Sequence, residues 1–172
     1  MERKRKPMSE QQAFNQLATR CAAAEYCLDD MRRKMTAWEL PEGAEERILQ
    51  KLVQERFVDE QRYAAAFARD KFRYNRWGSR RIALELERRH IAPDTIQEAL
   101  EQLDETEALQ TLLALLQQKR KSTRGRNAYE INMKLIRFAI SRGFSMDQAR
   151  QCIDQLDASD SDAPAPDDNF WD

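Results

Sequence analysis

Apolar side chains recur along this chain at steps of three and four. Phe14, Leu17, Cys21, Ala24, Leu28, Met31 and Met35 all fall on one helical face. The pattern stops before Trp38 and Pro41, which favours a helical hairpin or short bundle over a coiled-coil seam. A second stripe, Tyr63, Ala64, Phe67, Ala68 and Tyr74, predicts the core face of a helix between Asp59 and Gly78. Asp59 can cap that helix by accepting from its free N–H groups, Gly78 is suited to ending it, and Ser79 can cap the next. Ser145 followed by Gln148 reads as a capping box.

The pattern also repeats. "IAPDTIQEALEQLD" (Ile91 to Asp104) lies over "FSMDQARQCIDQLD" (Phe144 to Asp157) without a gap, so that Ile91, Ala99, Leu100 and Leu103 match Phe144, Cys152, Ile153 and Leu156. "LPEGAEERILQKL" (Leu40 to Leu52) enters the same frame with Leu49 and Leu52. A basic helix precedes each copy: "MRRKM", "IALELERR" and "KLIRFAISR". A period of about 50 residues predicts small helical units, each burying its stripe against its own partners and its neighbours.

Composition agrees with an all-α fold. Among 172 residues there are only four glycines and five prolines, with 41% hydrophobic residues rich in Ala and Leu. No apolar run approaches the roughly 18 residues that span a membrane, and no apolar segment follows the basic "MERKRKP". A soluble, cytoplasmic protein is therefore expected. The three cysteines, Cys21, Cys27 and Cys152, lack metal-ligand spacing and read as buried free thiols.

The net charge of −1 conceals a strong asymmetry. Residues 1–156 carry 29 bases and 24 acids, whereas residues 157–172 carry six aspartates and no base. The stretch "RYAAAFARDKFRYNRWGSRR" alone holds six arginines and one lysine against one aspartate. Within it Arg62, Arg69, Arg73 and Arg76 share a face beside the core face, followed by Arg80 and Arg81. A solvated helix face is one reading of this stripe. The other is an anionic partner, because like charges on one stripe repel and arginine forks onto phosphate and carboxylate. "QQKRKSTRGRN" adds Lys119, Arg120, Lys121, Arg124 and Arg126 in a loop or frayed helix end, with no acid. Trp38, Trp77 and Tyr74 could stack on bases or fill the core.

No catalytic constellation emerges. His90 ends a helix without an evident partner, and Asp29–Asp30 and Glu45–Glu46 read as solvated helix surface. No glycine-rich phosphate loop, nucleophile motif or metal-ligand set is present, so a binding protein without cofactor or metal is expected rather than an enzyme.

"FVDEQRYAAAFARDKFRYNRWGSRRIALELERRHI" (Phe57 to Ile91) resembles the central signature of the RecX family of recombinase regulators: an acidic turn, an Arg/aromatic–Ala helix, a glycine and a basic helix. "DDMRRKM…LVQERF" is similar to the family's first repeat and "KLIRFAISRGFSMDQARQCI" to its third. The resemblance implies three tandem three-helix repeats in an elongated, curved arrangement. On that frame residues 13–57, 58–107 and 108–157 are the repeats; outside it, polar composition predicts a basic disordered N-terminus over residues 1–12 and an acidic disordered tail over 158–172. It further implies a monomer that binds the RecA recombinase and its filament on single-stranded DNA and suppresses ATPase, strand-exchange and co-protease activities. The eleven bases named in the two basic stretches are the positions it puts forward for contact with DNA or filament. A stand-alone nucleic-acid-binding protein, or a helical adaptor without nucleic-acid function, are the alternatives. His90 and Glu39 stand where the family has glycine, which predicts turns closed differently from the family's.

Overall fold

The computed structural model describes residues 7–161, with backbone only for the last two. All regular structure among the described residues is helical: α1 (Glu10–Ala23), α2 (Leu28–Met35), α3 (Ala44–Gln54), α4 (Glu60–Asn75), α5 (Ser79–Glu87), α6 (Pro93–Glu101), α7 (Glu105–Ser122), α8 (Ala128–Ser141) and α9 (Met146–Ser161). α1 starts from a Ser9–Gln12 capping box, and α9 runs through Ser161. The boundaries expected at residues 12 and 158 therefore fall inside helices. Residues 162–172, which carry most of the expected tail, lie outside the described residues.

The continuous stripe from Phe14 to Met35 is broken into two helices. The chain turns extended at Ala24 and at Cys27, although no glycine or proline stands there. Two acids stabilise the restart: Asp30 accepts from the Cys27 N–H (3.3 Å), and Glu60 of α4 accepts from the Leu28 N–H (3.3 Å).

Two compact units emerge, and the division runs through α4 and α5. The first takes residues up to Lys71 together with Ile82–Leu103. In it α1 and α2 pack on α3. Leu17, Met31, Met35, Ile48 and Leu52 are buried, and the Phe57 ring meets Phe14 edge-on at 5.9 Å. Each such side chain withdrawn from water contributes about 1.5–3 kcal/mol before entropy is counted. Asp29 and Asp30 are not solvated surface. Asp29, whose side chain is only 12% exposed, bonds Arg33 and His90 Nδ1 (3.1 Å), and Asp30 meets Arg89 (3.4 Å). His90 thus has a partner that its sequence neighbourhood does not reveal. Glu45 is half-buried and Glu46 exposed, and both pair with Arg32.

The second unit takes Phe72–Arg81 and the chain from Asp104 onward. α7, α8 and α9 pack mutually around Leu112, Leu116, Leu135, Ala139, Phe144 and Cys152. Ser145 and Gln148 form the expected capping box, with N···O distances of 2.9 and 3.1 Å. The repeat frame holds in burial at Ile91 and Phe144, at Ala99 and Cys152, and at Leu49 and Leu52, all buried, whereas Leu100 and Leu103 are half-buried where Ile153 and Leu156 are buried. All three cysteines are free thiols. Cys27 and Cys152 are buried and Cys21 is half-buried.

Three helices close in one way. After α3, α5 and α8, the residues Arg56, His90 and Gly143 take positive φ (58°, 58° and 95°). The next N–H then reaches five residues back: Phe57 to Leu52, Ile91 to Leu86, Phe144 to Ala139. This is the Schellman closure. His90 adopts the conformation glycine would supply and bears its strain, whereas Glu39 has no positive φ and α2 ends by another route.

Candidate anion-binding interface

α4 carries the arginine stripe. Asp59 accepts from the Arg62 N–H at 2.9 Å, which is the predicted cap. The core face differs from expectation. Tyr63, Ala64, Ala68 and Phe72 are buried, whereas Tyr74 is 82% exposed. One periodic stripe assumes one buried face along the whole helix. Phe72 belongs to the second unit and lies roughly 80° around the helix from Ala64. The left-handed residue closing α4 is Arg76 (φ 52°), not Gly78, and α5 begins at Ser79 itself.

Arg69, Arg73, Arg76 and Arg80 are exposed, and their side chains make no hydrogen bond or ion pair among the described residues. Arg62 differs. It donates to Glu25 and lies 4.0 Å from Asp59, which makes it a structural partner inside the first unit. Arg81 is half-buried, with its guanidinium 4.1 Å from the Trp77 ring centroid, so Trp77 is already covered on one face by a cation. Trp38 packs on the first unit's core. Of the three aromatic stacking candidates, only Tyr74 stands open among the bases.

Gly78 positions these bases. Its N–H donates to the Arg142 carbonyl (2.8 Å), and the Arg80 N–H donates to the Gly143 carbonyl (3.1 Å). The α4–α5 turn therefore crosses the α8–α9 turn backbone to backbone, so close that a Cβ on Gly78 would sit 2.3 Å from the Gly143 carbonyl. The crossing brings in Arg142, a residue that helical periodicity gave no reason to select. Its Nη2 donates to the Asn75 and Arg76 carbonyls, while Arg81 Nη1 reaches the Ser141 carbonyl at 3.5 Å. Burial, together with the charges of Arg81 and Arg76, holds the Arg142 guanidinium below its ordinary pKa.

The second basic cluster is less free than its sequence suggests. Lys119, Arg120 and Lys121 lie in the last turn of α7 rather than in a loop. Arg120 pairs with Asp157 (2.8 Å), and Arg126 pairs with Glu130 (3.2 Å), which Lys134 also meets (3.2 Å). The Arg126 backbone N–H, then the Arg126 and Lys134 side chains, hold the Glu130 carboxyl below its ordinary range. Lys119 lies 5.4 Å from the Phe138 ring centroid, and Lys121 and Arg124 are exposed. Among the described residues no group of His, Cys, Asp and Glu could hold a metal ion, and no helix is long and apolar enough to cross a membrane.

Known proteins share this architecture. The profile of the second three-helix domain of RecX matches residues 59–100, and that of the third matches residues 105–153, together more than half of the chain. A regulatory protein RecX of Clostridium botulinum is 31% identical over 99 residues, which cover 56% of this chain and 46% of that protein. One of Bacillus cereus is 23% identical over 129 residues, covering 75% and 47%. The chain thus spans about half the length of these curated relatives. Two solved structures share the fold. A regulatory protein RecX has a TM-score of 0.78 at 21% identity, covering 84% of this chain and 71% of that one. RecX from Lactobacillus salivarius has a TM-score of 0.76 at 18% identity, covering 87% and 97%. These structures cover more of the chain than the two matched domains do. With its second and third three-helix domains matched in sequence and its helical repeats shared with solved relatives, the chain belongs to the RecX family of regulatory proteins.

Proposed function

We propose that this protein, as a monomer in the cytoplasm, binds the RecA recombinase and its filament on single-stranded DNA and inhibits ATPase, strand exchange and co-protease activity. It does so by binding rather than by catalysis. Membership of the RecX family supports the partner. The observation that carries the site is the row of exposed, unpartnered arginines Arg69, Arg73, Arg76 and Arg80, with Arg81 beside them. Like charges left without carboxylates repel one another, and an anionic surface relieves that repulsion. Lys119, Lys121 and Arg124 are further candidate contacts; Arg62, Arg120 and Arg126 are occupied by internal carboxylates.

Single-strand-dependent ATPase of the cognate RecA tests this. The native protein inhibits it. The variant R69Q/R73Q/R76Q/R80Q keeps its fold, because glutamine retains helix propensity at positions 69, 73 and 80 and replaces one non-glycine residue by another at the left-handed position 76, yet loses inhibition. At about 1 kcal/mol for each charged contact, four together weaken binding several hundredfold. Undiminished inhibition by the folded variant refutes the assignment. Tyr74, 82% exposed among these bases, favours a second reading in which the protein also binds free single strands. Such binding would weaken steeply with salt.

A further inference from the structure

Four arginines are half-buried among the described residues: Arg81, Arg89, Arg120 and Arg142. Arg89 faces Asp30 at 3.4 Å, and Arg120 faces Asp157 at 2.8 Å. Arg81 and Arg142 have no carboxylate partner among the described residues. They lie instead at the Gly78–Gly143 crossing with Arg76, and the acceptors around them are backbone carbonyls of Asn75, Arg76 and Ser141. A Cβ on Gly143 would sit 2.4 Å from Arg81 Cβ, so the Arg81 stem rises directly from the crossing. Partial burial of two guanidiniums with like charge and no counter-ion costs stability, and two turns locked together by backbone hydrogen bonds keep them there. Desolvation and the charges of Arg81 and Arg76 both act against the charged form of Arg142. An anion seated at the crossing would reverse that balance.

We propose that this crossing is a phosphodiester clamp, in which Arg142 of the third repeat joins Arg76 and Arg81 of the second to hold backbone phosphates of a single-stranded nucleic acid. Three features favour phosphate in a polymer over a carboxylate surface. Guanidinium forks match phosphate oxygens in pairs. The exposed Tyr74 ring stands close in sequence, where a base can stack. The exposed Arg73 continues along α4 with no carboxylate partner among the described residues, suited to a further phosphate. The clamp deepens the proposed function and rests on it for its biological setting, but its chemistry can be read without the recombinase.

The test is binding of a fluorescently labelled oligothymidylate to the full chain, by anisotropy across a salt series with no RecA present. Arg142→Gln is expected to weaken binding about tenfold and to reduce the slope of log K against log salt by about 0.7, the loss of one phosphate contact. Arg142→Lys, which keeps the charge but not the fork, should fall between the two. Circular dichroism melts establish that each variant is folded. Because Arg142 also holds two carbonyls of the neighbouring turn, Arg76→Gln, whose side chain bonds nothing among the described residues, reads the same clamp should Arg142→Gln fail to fold. Unchanged affinity and slope in the folded variants overturn the proposal. So does displacement of the oligothymidylate by polyglutamate, or by inorganic phosphate, as effectively as by unlabelled oligothymidylate at equal charge concentration. Since no recombinase is present, failure here leaves the ATPase result standing, and failure of the ATPase assay leaves the clamp standing.

Discussion

Gly78 bears more of the site than any single arginine, and Gly78→Ala is the sharpest perturbation of it. A Cβ there would lie 2.3 Å from both the carbonyl carbon and oxygen of Gly143 and 2.5 Å from the Phe144 nitrogen. Ordinary contact needs more than 3 Å, and every one of these atoms is backbone, so the two turns must part by about 1 Å. That separation stretches the Gly78–Arg142 bond from 2.8 Å and the Arg80–Gly143 bond from 3.1 Å. Each weakened backbone bond costs about 1 kcal/mol or more where the groups remain buried, and overpacking adds about 1–3 kcal/mol. The expected loss is about 3–5 kcal/mol in the second unit. Urea unfolding followed through Trp77, which sits in the crossing, measures it. Gly125→Ala is the control, because there the nearest atom is the movable Ile131 Cγ1 at 2.8 Å, and about 1 kcal/mol or less is expected. A Gly78→Ala variant within about 0.5 kcal/mol of the native protein would refute the close crossing, and with it the assembly of Arg76, Arg81 and Arg142.

Two further outcomes follow from local chemistry. His90→Gly removes positive-φ strain at 58° and loses only an exposed bond to Asp29, so a net gain of about 0.5–1 kcal/mol is expected in urea unfolding; a loss would mean that the Asp29 bond outweighs the strain. Burial pushes the Cys27 thiol from its ordinary 9.0 up to about 11, which favours the folded protein while the unfolded thiol stays protonated. That contribution is complete below about pH 9 and is lost between about pH 9 and 11, on the order of 2 kcal/mol, and stability measured across this window should fall less steeply in Cys27→Ala.

Much of this molecule is written in short-range pattern. The helical class, the caps at Asp59 and Ser145, and the matched burial of Ala99 and Cys152 depend on residues within a turn or two of each other, and helical periodicity records such relations directly. The exposure of Arg69 and Arg73 on α4 was legible for the same reason, whereas Arg76 lies beyond the end of that helix. The break at Ala24–Cys27 was not, because one of its stabilising acids, Glu60, arrives from 32 residues away. Distance along the chain likewise hid Glu25 behind Arg62 and Asp157 behind Arg120, so two arginines that look free in the sequence are neutralised in the fold. Tyr74 and Phe72 exchanged roles because α4 contributes its two ends to different units, and no single apolar face serves both. Arg142 shows the limit most clearly. In the sequence it is one base before a glycine. Only the meeting of two turns 66 residues apart in the chain, closed to a Cβ-excluding distance, turns it into the companion of Arg76. Local propensity determined which residues are helical and which face carries charge; which charges remain unpaired was decided by tertiary contact, since an ion pair forms wherever the fold brings its partners within about 4 Å.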